Sequence, residues 1–201
     1  SGKNELDPTE VYMGKSLQLP LYLKEAALLL SKGYPEAVIR QVGMFYYHIH
    51  DPLIELSRDE EPDPEALETG IRDMLVLSGV LDGDPEVIRH MDRNLEGKSH
   101  VVKVTIKKDG QPDSRSQVAM SDTIEAVTGY AEVKARELAG EIKDGNIKVH
   151  PYRQGDRTAC DWCRYSAICG FDEKVRGYEY NEAPDMTKEE ALEAMAATNR
   201  I

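Results

Sequence analysis

Three cysteines, Cys160, Cys163 and Cys169, are the residues whose type and spacing point most directly to chemistry, in the pattern Cys-x2-Cys-x5-Cys. Thiolates two residues apart can turn toward one metal, and soft sulfur selects zinc or an iron–sulfur cluster over magnesium. An odd number of cysteines in one short stretch cannot close on itself and is unlike a secreted disulfide framework. Three readings stay open on the residues alone: reduced thiols in a loop, a zinc knuckle completed by His150 or another histidine, or part of a cluster ligand set. A 4Fe-4S cluster takes four thiolates, so one ligand must come from elsewhere. Trp162 and Tyr165, between the cysteines, either shield such a site or serve as ordinary packing residues.

Gln18 and Tyr22 form a second pair: four apart, they share one face of a helix and can reach the same groove, although the bland reading is helix packing with a solvated first-turn glutamine. His48 and His50 would lie on one side of a strand with Asp51 beside them, a geometry more often packed or hydrogen-bonded than metal-bound. The run Asp59-Glu60-Glu61 reads as a solvated loop. Walker-type glycine loops, nucleophile elbows and dinucleotide fingerprints are absent, so nothing in the sequence supports ATP hydrolysis or acyl transfer by this chain.

The elements that must position these residues follow from periodicity. Leu17, Leu21, Ala27, Leu28 and Leu30 recur at helical spacing, with Pro20 tolerated in a first turn that starts near Gln18 and Gly33 as a stop. Val38 to Ile49, bounded by Pro35 and Pro52, reads as a core strand. Ser57 to Pro64 reads as a loop, followed by helices from Pro64 to about Ser78 and from Pro85 to Leu95, together an inserted helical arm. Val101 to Lys107 alternates as a strand, Lys108-Asp109-Gly110 marks a hairpin turn, and Gln117 to Met120 offers a second strand. Asp122 with Glu125 suggests a capping box at the head of a long helix reaching Gly145. A short strand at Ile147 to Val149 and a last helix from Thr187 to Ala197 complete the expectation.

Of 201 residues, 40% are hydrophobic and 31% charged, which suits a globular protein. A net charge of −12 argues against the chain by itself being a nonspecific nucleic-acid binder, so any DNA contact must be a local basic surface or lie on a partner. The longest apolar stretch, Ala26 to Leu30, is far short of the ~20 residues that span a bilayer, and Ser1 to Glu10 has no signal-peptide core, so the expectation is a cytoplasmic protein with no membrane partner.

Ile147-Lys148-Val149-His150-Pro151-Tyr152, followed by Ala159-Cys160-Asp161-Trp162-Cys163-Arg164-Tyr165 and Ile168-Cys169-Gly170-Phe171-Asp172, resembles the C-terminal end of the nuclease domain of AddB-type subunits of bacterial helicase-nucleases. Gln18-Leu19-Pro20-Leu21-Tyr22 is similar to the Gln-x3-Tyr motif of RecB-like nucleases in the PD-(D/E)XK superfamily, and Gly43 to Ile49 with Asp51-Pro52 looks like an AddB strand. The resemblance runs to about Tyr180 with the motifs in family order. It implies an α+β fold, the C-terminal part of a restriction-endonuclease-like core with a helical insertion and a cysteine-bearing tail. The parts expected are a core helix and strand (1–56), the insertion (57–98), a hairpin, long helix and short strand (99–150), an iron–sulfur tail (151–180) and a C-terminal helix (181–201).

The resemblance further implies a 4Fe-4S cluster held by Cys160, Cys163 and Cys169 with a fourth ligand upstream, and Gln18 and Tyr22 as accessory residues that position substrate or the catalytic lysine. It places the catalytic carboxylates and lysine before Ser1, so this polypeptide alone is expected not to cut DNA. In the parent it implies magnesium-dependent cleavage of one DNA strand during double-strand break repair and recombination, alongside an ATP-dependent helicase partner of the AddA type. The alternatives are a CRISPR-associated or stand-alone RecB-type exonuclease and a noncatalytic zinc-binding interaction module. Removing half of a core should expose apolar surface, which favours a dimer.

Overall fold

The structure, a computed structural model, describes residues 6–47 and 63–198. Three helices begin in the same way, because an Asp-Pro pair supplies both a side-chain cap and a residue preset for the first turn. Asp7 caps α1 (Pro8–Tyr12) through the Thr9 N–H at 3.0 Å. Asp63 caps α3 (Pro64–Met74) through Glu65 at 3.1 Å, and Asp84 caps α4 (Pro85–Met91) through Glu86 at 2.9 Å. Between them α2 runs Gln18–Gly33 with Pro20 buried in its first turn, as its periodicity predicts.

The main sheet has three strands. β1 (Gly43–Tyr46) lies antiparallel to β2 (Ser78–Asp82), with Gly43 opposite Leu81 and Tyr46 opposite Ser78, and β2 runs parallel to β3 (Val118–Ala119). A Cβ on Gly79 would overlap the Met44 carbonyl oxygen and come within 2.8 Å of Phe45 Cα, so only glycine allows this approach of β1 to β2. After β3 comes the 23-residue α5 (Ser121–Lys143). A smaller sheet then forms from β4 (Tyr152–Gln154), antiparallel to β5 (Arg157–Thr158) and parallel to β6 (Asn181–Glu182). The short α6 (Ser166–Cys169) and the C-terminal α7 (Lys188–Thr198) complete the α+β arrangement. Among the described residues no helix is long and apolar enough to cross a membrane.

Several expectations are corrected. Among the described residues the strand expected over Val38 to Ile49 forms only as β1: Val38 is 92% exposed, and the last backbone hydrogen bond of this stretch to β2 is the Asp82 N–H donating to the Val42 carbonyl at 2.7 Å. His48, Ile49, His50 and Asp51 lie outside the described residues, as does the acidic run from Asp59 to Glu61. The helix expected to reach Ser78 stops at Met74, because Ser78–Asp82 pairs with two other strands as the middle of the sheet. The segment 57–98 therefore supplies a sheet strand as well as helices. The helix from Pro85 ends at Met91, short of Leu95.

Val101 to Lys107 makes only isolated bridges, Leu77 with Val102, Lys98 with Thr105 and Ile106 with Pro112. The reason is local: Ser99 Oγ accepts the Val101 and Val102 N–H groups at 3.0 and 3.2 Å, diverting donors that a ladder would use. The turn itself forms, with the Gly110 N–H donating to Lys107 O at 2.9 Å and Gly110 at φ +81°. Asp122 sits inside the first turn of α5 and accepts from the Thr123 N–H at 2.7 Å instead of building a capping box with Glu125. Ile147 to Val149 is irregular, and the strand there is β4.

Two apolar clusters hold the chain together. In the larger, Val11 of α1, Met44 of β1, and Ile124, Val127 and Tyr130 of α5 pack with Ala191 and Met195 of α7, so the C-terminal helix is part of the core. In the smaller, Leu81 of β2 and Ile88 of α4 pack with Val102 and Val104. Leu28, Leu29 and Leu30 of α2 and Ile142 of α5 remain exposed.

Candidate functional site

Gln18 opens α2 and Tyr22 follows one turn later, and Gln18 Nε2 donates to Tyr22 Oη at 3.0 Å. Helical rise alone places the two on one face, so the sequence expectation of a shared face holds. Tyr22 is 63% exposed, and the pair presents an amide and a phenol side by side to solvent. Such a pair can offer donors to an oxygen-rich ligand at no cost to the core. Packing between α2 and α5 fixes its orientation, assisted by Lys24 Nζ at 3.9 Å from Glu132.

Near the start of α2, a cavity of about 210 Å³ is lined by Tyr12, Lys15, Tyr130, Lys134, Tyr152 and Glu182. The Lys15 ammonium stands 3.8 Å above the Tyr152 ring, and the Tyr12 and Tyr130 rings stack at 5.4 Å. Burial, with smaller effects from Tyr12 and Glu137, pushes the Tyr130 hydroxyl up to about 12. It stays protonated and donates to the Tyr12 carbonyl at 2.7 Å, which ties α5 to α1.

The cysteine tail is held at both ends. Upstream, Thr158 donates to the Asp161 carboxylate through its N–H at 3.0 Å and its hydroxyl at 2.6 Å, while the Cys160 N–H donates to Thr158 Oγ1 at 3.2 Å. These Thr158 hydrogen bonds hold the Asp161 carboxyl below the usual range. Downstream, Phe171 packs edge-on against Tyr178 and Tyr180, and Arg153 lies 3.8 Å over Tyr180 while pairing with Glu173 and Glu182. Between these anchors the Cys163 N–H donates to Cys160 O at 3.2 Å, and the Cys169 N–H donates to Tyr165 O at 2.9 Å.

All three thiols are free, Cys160 and Cys163 half-buried and Cys169 exposed. Among the described residues, no group of three or more His, Cys, Asp or Glu side chains gathers to hold a metal ion. His150 lies 3.9 Å from Glu179. The donor set is chemically suited to a soft metal or cluster but counts three sulfurs, one short of a closed four-ligand site. On its own it does not complete one.

One cluster has no signal in the sequence. The Asp82 carboxylate is 3% exposed and accepts from Arg40 Nη2 at 3.0 Å, from the Asp84 N–H at 3.0 Å and from Ser121 Oγ. Burial pushes this carboxyl up, but the hydrogen bonds from Ser121 and Asp84 together with the Arg40 charge hold it below the usual carboxylate range. Arg40, Asp82 and Ser121 come from three separate stretches, so no local spacing announces them. Every Asp82 contact here is internal, and the cluster ties the irregular 38–42 stretch and the head of α5 to β2.

With this geometry in place, the comparisons with known proteins are consistent. Residues 1–170 match the profile of the PD-(D/E)XK nuclease superfamily. The B subunit of the ATP-dependent helicase/deoxyribonuclease of Thermoanaerobacter sp. (strain X514) is 33% identical over 190 residues, 94% of this chain and 16% of that protein. The protein of the same name from Clostridium botulinum (strain Hall) is 34% identical over 197 residues, 97% of this chain and 17% of its own length. That of Bacillus mycoides (strain KBAB4) is 31% identical over 198 residues, 96% and 16% respectively. The chain thus spans about a sixth of the length of the curated relatives it matches.

Proposed function

The chain belongs to the PD-(D/E)XK nuclease superfamily, and from that premise we propose that it works as part of the DNA-cleaving module of an ATP-dependent helicase-nuclease of the AddB type. The observation that carries this reading is similarity across nearly the whole chain, 94 to 97% of it, to helicase/deoxyribonuclease proteins, with the Gln18–Tyr22 pair exposed on α2. The relatives' name implies a companion polypeptide, which we take to be an AddA-type helicase-nuclease. The substrate is one strand of DNA unwound in the cytoplasm during break repair and recombination.

In this reading Gln18 and Tyr22 bind and orient the strand or the residues that cleave it. Magnesium, bound by carboxylates of the longer module, would supply an activated water and charge neutralisation at the phosphate. Cys160, Cys163 and Cys169 would contribute three thiolates to a 4Fe-4S cluster with a fourth from elsewhere in the parent polypeptide. Such a link would close a long loop and stabilise the module by restricting the unfolded chain. Support for the cluster comes from the three soft donors and their position between two anchored ends.

The test compares the 201-residue chain with a polypeptide of the relatives' full length in complex with its partner, both purified anaerobically. The expected result is iron and sulfide in equal amounts in the long form, lost with Cys163→Ala, and magnesium-dependent cleavage of single-stranded DNA by that form. Gln18→Ala and Tyr22→Phe should each lower cleavage about tenfold while thermal stability stays unchanged, since about 1.4 kcal/mol of transition-state stabilisation corresponds to that factor. Stoichiometric zinc in the 201-residue chain, with no nuclease activity in the long form, would replace this reading with a zinc-binding interaction module.

A further inference from the structure

The stretch from Lys98 to Lys108 holds four lysines and His100 and no acidic residue, in a chain whose net charge is −12. Its fold gathers part of this charge into one place. A groove of about 280 Å³ is lined by Lys98, Lys103 and Arg115 together with Thr105 and Asp73. Lys103 stands exposed between the buried Val102 and Val104, and Lys107 and Lys108 are exposed at the turn that follows. Lys98 bridges to Thr105 from one side, and the Gln117 N–H donates to Lys103 O at 2.9 Å from the other.

The backbone that carries Lys103 is held tightly. The Val104 N–H donates to Val102 O at 2.7 Å, and the Ser99 N–H donates to Val104 O at 2.9 Å, so the lysine projects from a closed turn whose flanking valines are anchored in the smaller core. Lys103 makes no ion pair among the described residues. Asp73, the one acid lining the groove, is shared by Lys98 at 2.8 Å and His100 Nδ1 at 3.4 Å. Arg115 pairs with Asp113 at 3.1 Å and remains 88% exposed. No aromatic side chain lines the groove. Fixed cations without a stacking surface suit a ligand read by its charge and not by its bases, which is the outside of a nucleic-acid duplex.

We propose that the groove between Lys98, Lys103 and Arg115 seats the phosphate backbone of duplex DNA, an inference that rests on the nuclease reading above. The groove shares no residue with the Gln18–Tyr22 pair or with the cysteine tail. Lysine and arginine here neutralise phosphates whatever the sequence, so the contact positions the duplex without selecting bases. The acidic remainder of the chain repels phosphates and keeps the contact local.

Anisotropy of a labelled duplex of mixed sequence, titrated with the 201-residue chain, reads the contact. Lys103→Gln and Arg115→Gln keep a long side chain and remove its charge. Each should lower the slope of log K against log salt by about 0.9, the value for one duplex phosphate contact, which over one decade of salt is about an eightfold loss of affinity. The loss should be the same on duplexes of different sequence, and Lys103→Arg should keep the affinity. Lys188→Gln, at the exposed head of α7, makes the same change in net charge and should leave the slope unchanged. Melting temperatures should match the wild type; if Arg115→Gln melts lower, Lys103→Gln, whose side chain has no ion pair to lose, decides.

A wild-type slope for Lys103→Gln, or an equal fall for Lys188→Gln, overturns the proposal and leaves the nuclease reading to the cleavage assay of the long form. Weakened binding of single strands with duplex binding intact overturns it in favour of a single-strand contact. Loss of the companion polypeptide with duplex binding intact overturns it in favour of a protein interface. Absence of duplex binding by the wild type also overturns it, while magnesium-dependent cleavage by the long form would keep the nuclease reading.

Discussion

Replacing Met195 by Ala tests whether α7 belongs to the core. Met195 and Ala191 are both fully buried among Val11, Ile124, Val127 and Tyr130, so truncation removes packed methylenes and sulfur from the junction of α1, α5 and α7. Buried Met→Ala changes cost ~2–5 kcal/mol, the lost transfer energy plus that of the cavity left behind. For a domain of this size each kcal/mol moves the melting temperature by ~2–4 °C, so the expected fall is about 4–20 °C. Chemical unfolding followed by far-ultraviolet circular dichroism should show a lower midpoint at an unchanged slope, since the surface exposed on unfolding is nearly the same. Glu193→Ala, two residues away on the exposed side of the same helix, should stay within about 0.5 kcal/mol of the wild type. If Met195→Ala behaved like Glu193→Ala, α7 would be a detached appendage and the assignment of the larger core would fail.

Two further outcomes follow from the main sheet. Gly79→Ala forces a methyl into the Met44 carbonyl oxygen, backbone that cannot swing aside, and should cost about 1–3 kcal/mol or more; amide exchange should rise first in Gly43–Tyr46, and a neutral effect would mean that β1 and β2 are not this close. Asp82 is held below its unfolded pKa by Ser121, Asp84 and Arg40 against the opposing effect of burial, so its stabilisation is fully present above the unfolded value near ~3.9 and is lost as pH falls through the folded value. Asp82→Asn should therefore lower stability at pH 7 and flatten the acid limb of the stability profile; an acid limb identical to the wild type would show that this carboxylate is not the one being protonated.

Features fixed within a few residues are legible in the sequence, and features made by tertiary closure are not. The Gln18–Tyr22 pair needs only the helical repeat, and the Leu17-to-Leu30 pattern announces that helix together with its proline-bearing first turn. Periodicity places α5 and α7 within a few residues of their bounds for the same reason. Ser78–Asp82 gives no strand signal, and the helix before it reads as reaching Ser78, because five residues carry too little periodicity; its identity as a strand comes from Gly43–Tyr46, far back in the chain. Val101 to Lys107 misleads in the opposite direction: its alternation is real, but Ser99 takes the backbone donors that would have built the ladder. The cysteine spacing is visible at once, because it needs only the local order of residues.

The same distinction separates the two polar clusters by what each contributes. Gln18 and Tyr22 satisfy each other at the surface, with Tyr22 63% exposed, so replacing them removes little that the fold depends on and leaves any loss to appear in ligand handling. Asp82 is the opposite case: its carboxylate is nearly buried and accepts from Arg40, Ser121 and the Asp84 backbone, so its replacement takes an acceptor from Ser121 and leaves Arg40 with its longer contacts to Asp84. A carboxylate that is nearly buried and acid-shifted invites a catalytic assignment, and here the geometry argues against it. The exposed pair, which contributes least to stability, is the better candidate for contact with substrate because its hydrogen bond can be exchanged for one to a phosphate or a catalytic group without unmaking the core.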